Sequence, residues 1–192
     1  MRLPGQRSGR HLPGPLRESL DLDGDRVLAA TIDLATGEHL IIGQWRLYAV
    51  SSPVDGAHQV RLRVPWHDVD GGSYDSDAHT LTVTWVGDRA AERWRIDPGQ
   101  REGAEVHERF WERVQASVVL AEPVDLGARL QGRVVVRRRF SDGTLLSQVL
   151  LGPGATMSDP GQRARALAAP VSYTHLRAHE TVLDLVCRLL LE

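Results

Sequence analysis

Lysine and asparagine are both absent from this chain of 192 residues, and cysteine occurs once, at Cys187. A single cysteine excludes an intramolecular disulfide and a cysteine-rich zinc site. All 23 basic residues are therefore arginine, and against 25 acidic residues they leave a formal net charge of −2. That balance lacks the basic excess that nucleic acids and anionic membranes attract, so we expect neither as a partner. No apolar run approaches the roughly 18 residues of a membrane span, which predicts a cytoplasmic protein.

The first half of the chain is rich in β-branched and aromatic residues, and several of its runs alternate between apolar and polar positions. In 59–66, Val60, Leu62, Val64 and Trp66 fall on one side of an extended chain. The tetrapeptide at 35–38, Ala-Thr-Gly-Glu, is typical of a hairpin turn. The pattern predicts six strands: Arg26–Leu34, His39–Val50, Gln59–Trp66, Val69–Asp75, His79–Val86 and Glu92–Asp97.

The apolar period then changes from two residues to four. Within Gly103–Leu120, Val106, Phe110, Val114 and Val118 recur at the spacing of one helical face. Phe110 is predicted to close one end of a small, bent antiparallel barrel formed by the six strands. A β-hairpin is predicted for Arg133–Phe140 and Thr144–Leu151, followed by a truncated helix that begins at Asp159-Pro160.

Both ends of the chain differ in composition from its middle. Met1–Ser19 is rich in Pro, Gly and Arg and is predicted to be a disordered arm. Val171–Glu192 resembles translated sequencing-adapter read-through: back-translated, its segments VSYTHLRAHET and DLVCRLLLE match the two ends of such an adapter. We expect this tail to be artefactual and the natural sequence to be truncated near Pro170. The predicted domains are therefore 1–19, 20–120, 121–170 and 171–192.

Three local phrases carry a resemblance to a known fold family. They are HLIIGQWRLYAV in the second predicted strand, RVPWHDVDGGSYDSD across the next turn and HERFWERV in the helix. Over residues 20–120 the chain resembles pleckstrin-homology-like (PH-like) domains in their bacterial, GRAM-like form. The chain is also similar to a family from high-G+C bacteria, and this similarity does not point to any particular activity. The PH-like resemblance implies a mainly β (α+β) fold and a non-catalytic interaction module, with another protein as the expected partner.

One cluster offers an alternative of a different class. His67, Asp68 and Asp70 lie in a segment that also holds Asp75, Asp77 and His79, which could serve a small-molecule or metal-dependent enzyme or binder. The spacing matches no standard zinc or calcium loop, and the adjacent glycines indicate a turn. Nucleophile elbows, phosphate-binding loops and H-E-x-x-H motifs are absent. We therefore predict no catalytic, cofactor-binding or metal-binding residues and no cofactor.

Two charged segments bear on the choice of partner. The first hairpin, Asp33–His39, is acidic where phosphoinositide-binding PH-like domains are basic, so we expect no phosphoinositide binding. Arg137, Arg138 and Arg139 alternate sides on a strand, which is typical of a charged edge strand that resists aggregation. The alternative interpretation is that these arginines bind an acidic partner or nucleic acid. Most of the five tryptophans fall at predicted inward positions.

Overall fold

The computed structural model describes residues 12–51, 58–97, 99–127, 130–152, 158 and 160–166, together with the backbone of Val186–Cys187. The chain divides into two compact units, Met1–Gln115 and Ala116–Glu192. Both are built mainly from antiparallel strands, which confirms the predicted mainly β class. Among the described helices, none is long and apolar enough to cross a membrane.

The first unit contains seven strands in two antiparallel sheets. The first sheet has the order β1-β2-β3-β4 and the second has the order β5-β6-β7. The predicted bent barrel of six strands is therefore not confirmed, since the described residues of this unit form seven strands in two sheets and no closed barrel. The strands are β1 (Val27–Ile32), β2 (His39–Gly43), β3 (Arg46–Val50), β4 (Val60–Pro65), β5 (Val69–Asp75), β6 (Thr80–Trp85) and β7 (Glu92–Arg95).

The predicted strand His39–Val50 is in fact a hairpin of β2 and β3. The buried Asp25 carboxylate causes the reversal, because it accepts hydrogen bonds from the backbone N–H groups of Trp45 at 2.9 Å and Arg46 at 3.1 Å. Gly43 is required beside it, since a Cβ there would lie 2.5 Å from Asp25 Oδ2. Continuous apolar character concealed this turn in the sequence.

Helix α2 (Arg101–Ser117) supplies the predicted apolar stripe. Val106, Phe110 and Val114 are buried, and the Phe110 ring meets the Trp66 ring edge to face at 5.9 Å. Gly72 on β5 makes room for Phe110, because a Cβ there would lie 2.8 Å from the ring. The stripe ends earlier than predicted: Val118 begins the next strand, in a β-branched run that favours extended backbone.

The prediction that Met1–Ser19 is disordered is wrong for its last residues. Gly14–Ser19 form helix α1, and Leu12, Leu16 and Leu20 are buried against an apolar cluster that includes Ala30 and Tyr48. The leucines recur every fourth residue and so share one helical face. Pro15 lies in the first turn of α1, where its missing N–H costs nothing. Met1–His11 lie outside the described residues.

The second unit contains the sheet β8 (Val118–Gly127), β9 (Leu130–Arg138) and β10 (Leu145–Leu151). The predicted hairpin is present as β9 and β10, while β8 was not predicted. Residues 160–166 are helical, and the predicted cap Asp159 lies outside the described residues. The backbone of Val186–Cys187, within the predicted artefactual tail, pairs in parallel with β10.

Strand β9 lies between β8 and β10, so the prediction of an arginine-guarded edge strand is wrong. Arg137 is buried and donates a hydrogen bond to Ser117 Oγ at 2.9 Å, whereas Arg138 is exposed. Alternation placed these side chains on opposite faces but could not reveal a third strand beside them.

Candidate functional site: an exposed apolar and basic patch

The predicted His67, Asp68 and Asp70 cluster is only partly assembled. His67 and Asp68 lie in a short 3₁₀ turn, Trp66–Asp68, with His67 Nε2 3.9 Å from Asp68 Oδ1. His67 is buried, and Asp70 lies on β5. Within the described part of the chain, no group of three or more His, Cys, Asp or Glu side chains is arranged to hold a metal ion.

The neighbouring acidic residues shape the hairpin between β5 and β6. Asp75 Oδ1 accepts hydrogen bonds from the N–H groups of Asp77 and Ala78, at 2.9 and 3.0 Å. His79 then adopts the left-handed backbone region, with φ of 50°. Its Nδ1 lies 3.3 Å from Tyr74 Oη. These contacts give the acidic segment a structural role in ending the turn.

The acidic side chains of the first hairpin are also turned inward. The buried Asp33 carboxylate accepts from the N–H groups of Ala35 and Thr36, and from that of Arg95 at 2.7 Å. Gly37 completes this turn with φ of 74°, as its place in the predicted hairpin requires. The Asp33 carboxylate is therefore buried and does not contribute to an acidic surface at the first hairpin.

Glu38 is buried at the junction of the two sheets. Arg61 of β4 donates to both of its oxygens, at 2.6 and 2.8 Å, and Trp94 Nε1 of β7 donates at 2.9 Å. Burial alone would raise the pKa of Glu38, but the hydrogen bonds from Arg61 and Trp94 outweigh it and lower that pKa below its ordinary value. The carboxylate thus stays charged and connects the first sheet to the second.

The ion pairing continues from Arg61 into β7. Its Nη2 also contacts Glu92 at 2.7 Å, and Glu92 contacts Arg89 at 3.2 Å. The Arg89 guanidinium in turn lies 5.0 Å from the centre of the Trp85 ring. Two carboxylates and two guanidinium groups therefore balance one another within this network.

Two large apolar side chains are exposed next to this network. Ile32 is 50% exposed and Leu34 is 54% exposed, and they are the exposed large hydrophobic residues of the described chain. Ile32 ends β1, and Leu34 follows two residues later, in the turn of the first hairpin. Single exposed apolar residues are common, but a neighbouring pair at a strand end is a feature of interaction surfaces.

Basic side chains border this pair. Arg93 and Arg95 of β7 are exposed and form no ion pair with the described residues. Leu34 N–H donates to the Arg95 carbonyl oxygen at 2.8 Å, which places the end of β7 directly beside the first hairpin. We name Ile32, Leu34, Arg93 and Arg95 the β1–β7 patch.

The backbone around the β1–β7 patch has an open side. β1 and β7 each pair with one neighbour within the described sheets. Asp33 N–H donates to the Glu38 carbonyl, so its backbone groups point towards β2. Backbone groups alternate in direction along a strand, and the N–H and C=O of Ile32 therefore point away from β2. Ile96 N–H bonds the His79 carbonyl, and by the same alternation Arg93 faces the unpaired side of β7.

The sequence analysis did not identify this patch. Arg93 and Arg95 alternate with Trp94 and Ile96, and this alternation is the signal that could have placed the two arginines on the outer face. Ile32 and Leu34 gave no such signal, because two apolar residues on one strand face normally indicate a core. Trp66, Trp85 and Trp94 are buried as predicted, while Trp45 and Trp111 are half-buried.

Comparison of the chain with protein-family models and with curated proteins gave no match.

Proposed function

We propose that this chain is a non-catalytic, cytoplasmic interaction module that binds an acidic segment of another protein at the β1–β7 patch. The observation that carries the proposal is the exposure of Ile32 and Leu34 beside two arginines that form no ion pair with the described residues. The apolar pair would be covered by aliphatic side chains of the partner. Arg93 and Arg95 would then pair with its carboxylates, which would favour acidic over basic segments and speed association.

An extended protein segment suits this patch better than a lipid surface does. The unpaired backbone sides of β1 and β7 offer N–H and C=O groups near Ile32 and Arg93, which another strand could pair with. Lipid headgroups supply no such ladder, and two arginines with two apolar side chains are few for stable membrane attachment. The patch therefore favours addition of a strand.

The fold of the first unit supports the PH-like part of the proposal. Four antiparallel strands are followed by three, and then by an amphipathic helix whose Phe110 is buried. The resemblance of residues 20–120 implies six antiparallel strands followed by such a helix, so the strand-then-helix order fits it while the strand number differs. On this proposal the module is PH-like but does not bind phosphoinositides, because the described first hairpin presents no cluster of basic side chains.

A direct test uses the full chain and a short synthetic peptide that alternates leucine with glutamate and carries a fluorescent label. Fluorescence anisotropy would measure its affinity and that of a matched peptide with lysine for glutamate. We expect the acidic peptide to bind in a salt-sensitive manner and the basic peptide to bind at least tenfold more weakly. Replacing Ile32 and Leu34 with serine, or Arg93 and Arg95 with glutamine, should each reduce affinity about tenfold.

Arg101→Gln supplies the matched control, because Arg101 is an exposed arginine of the same unit that lies outside the β1–β7 patch. Its affinity for the acidic peptide should equal that of the parent chain. Equal binding of both peptides, or unchanged binding after both patch replacements, would overturn the proposal. Salt-sensitive binding to anionic vesicles without peptide binding would instead assign the patch to a membrane and overturn the protein-binding function.

A further inference from the structure

A second feature of the first unit lies away from the β1–β7 patch, where α1 meets the beginning of the first sheet. An open cavity of about 170 Å³ lies there. Its lining combines three apolar side chains with three charged ones: Leu12, Arg17, Leu22, Asp25, Arg26 and Val27.

The charged side chains that line this cavity differ in how many hydrogen bonds and ion pairs they form. The Asp25 carboxylate is buried and already accepts four hydrogen bonds, among them one from Arg26 N–H at 2.7 Å and one from Tyr48 Oη at 2.9 Å. The side chains of Arg17 and Arg26 are exposed and form no ion pair with the described residues. The cavity is therefore lined by two arginines that have no ion-pair partner among the described residues, and by one carboxylate that already accepts four hydrogen bonds.

The apolar part of the lining belongs to the core. Leu12 is buried in the cluster beneath α1, and Leu22 and Val27 pack against the same cluster. The part of their surface that stays accessible lines the cavity beside the two arginines. A cavity of about 150 Å³ with apolar walls is large enough for a benzene ring, so this one has room for a single ring or a short aliphatic chain.

We propose that this cavity binds a small monocarboxylate with an apolar body, such as an aromatic or short-chain carboxylic acid. The carboxylate pairs with Arg17 and Arg26, and the apolar body lies on Leu12, Leu22 and Val27. Arginine suits this role because its planar, permanently charged fork matches a carboxylate. The two arginines come from α1 and from the chain just before β1, so the bound ligand would also fasten α1 to the sheet.

Benzoate titrated into the full chain tests the proposal, with thermal unfolding and two-dimensional NMR as the readouts. A ligand that binds only the folded protein raises its melting temperature as concentration increases. We expect benzoate to do so and to shift the amide resonances of residues 16–27. Benzamide, which has the same shape without the charge, and inorganic phosphate, which has charge without the ring, should each bind at least tenfold more weakly at equal ionic strength.

Variants locate the site. Because charge-assisted hydrogen bonds are the strong ones, Arg17→Gln and Arg26→Gln should each weaken benzoate binding about tenfold. Arg101→Gln should leave it unchanged. Both arginines are exposed, so the variants are expected to fold, and their melting temperatures without ligand verify this. Equal binding of benzamide or phosphate, shifts spread over the surface, or unchanged affinity in both variants would overturn the proposal.

Discussion

Replacing Glu38 with glutamine tests whether the buried carboxylate holds the two sheets of the first unit together. Glutamine keeps the shape and one acceptor oxygen but loses the charge, and its amide group brings a donor towards the Arg61 guanidinium. Hydrogen bonds to charged groups contribute about 1.5–3 kcal/mol each. The Arg61 side chain is 46% exposed and retains Glu92, so solvent screening reduces the loss. We therefore expect Glu38→Gln to lower the free energy of unfolding by about 1.5–3 kcal/mol at neutral pH.

The pH dependence of this loss identifies its electrostatic origin. The pKa of Glu38 is lower in the folded protein than its ordinary value of 4.5, so the unfolded chain takes up the proton first. The stabilisation is complete above pH 4.5 and disappears as the pH falls through the lower, folded-state pKa. Urea melts followed by tryptophan fluorescence should show the parent and Glu38→Gln curves converging in acid.

A double-mutant cycle with Arg61→Met completes the test. The two changes share one interaction, so the double variant should lose less than the sum of the single losses, by about 0.5–3 kcal/mol. Glu18→Gln, at an exposed position of α1, should stay within about 0.5 kcal/mol of the parent. A loss for Glu38→Gln that is the same in acid and at neutral pH would refute the electrostatic explanation, as would strict additivity.

The remaining predictions concern packing, pH and the tail. Leu16→Ala should cost about 2–5 kcal/mol in denaturant melts, because the side chain is fully buried; a loss near zero would mean that α1 does not pack. Phe110→Ala should cost about 3–5 kcal/mol by the same assay, since it empties the space between α2 and Gly72. Burial, together with His58, lowers the pKa of His39 below 6.5, so stability should decrease as the pH falls through that lower pKa, and His39→Gln should remove this slope. Deleting 171–192 should change the free energy of unfolding by less than about 0.5 kcal/mol, and a loss above about 2 kcal/mol would show that the tail packs.

Periodicity predicted the elements whose burial is one-sided. β4 and β6 alternate in the sequence as they do in the structure, and α2 carries its apolar residues at helical spacing. In each case the core imposes a regular pattern that local sequence records directly. Phe110 was placed in the core for the same reason, and its contact with Trp66 agrees with that placement.

The charged residues show where such patterns fail. Glu38 and Arg137 are both buried, although polar residues in a hairpin and on a strand normally indicate solvent. Their burial depends on partners distant in sequence: Glu38 on Arg61 and Trp94, and Arg137 on Ser117. No local window contains both members of these pairs, so tertiary contacts had to be known first.

The interaction patch and helix α1 were both missed because composition does not show which side chains are buried. In the patch, apolar residues are exposed; in α1, leucines of a polar segment are buried. Ile32 and Leu34 are apolar residue types typical of a core, but they lie at and just beyond the end of β1, where no element of the described part of the chain covers them. Leu12, Leu16 and Leu20 stand among prolines, glycines and arginines, yet they cover an apolar sheet face that would otherwise meet water. Composition averages over a segment, whereas burial depends on the particular surface available to each side chain. Three leucines at one helical spacing were enough to order α1, because the face formed by Ala30, Ile41 and Tyr48 lacked a cover.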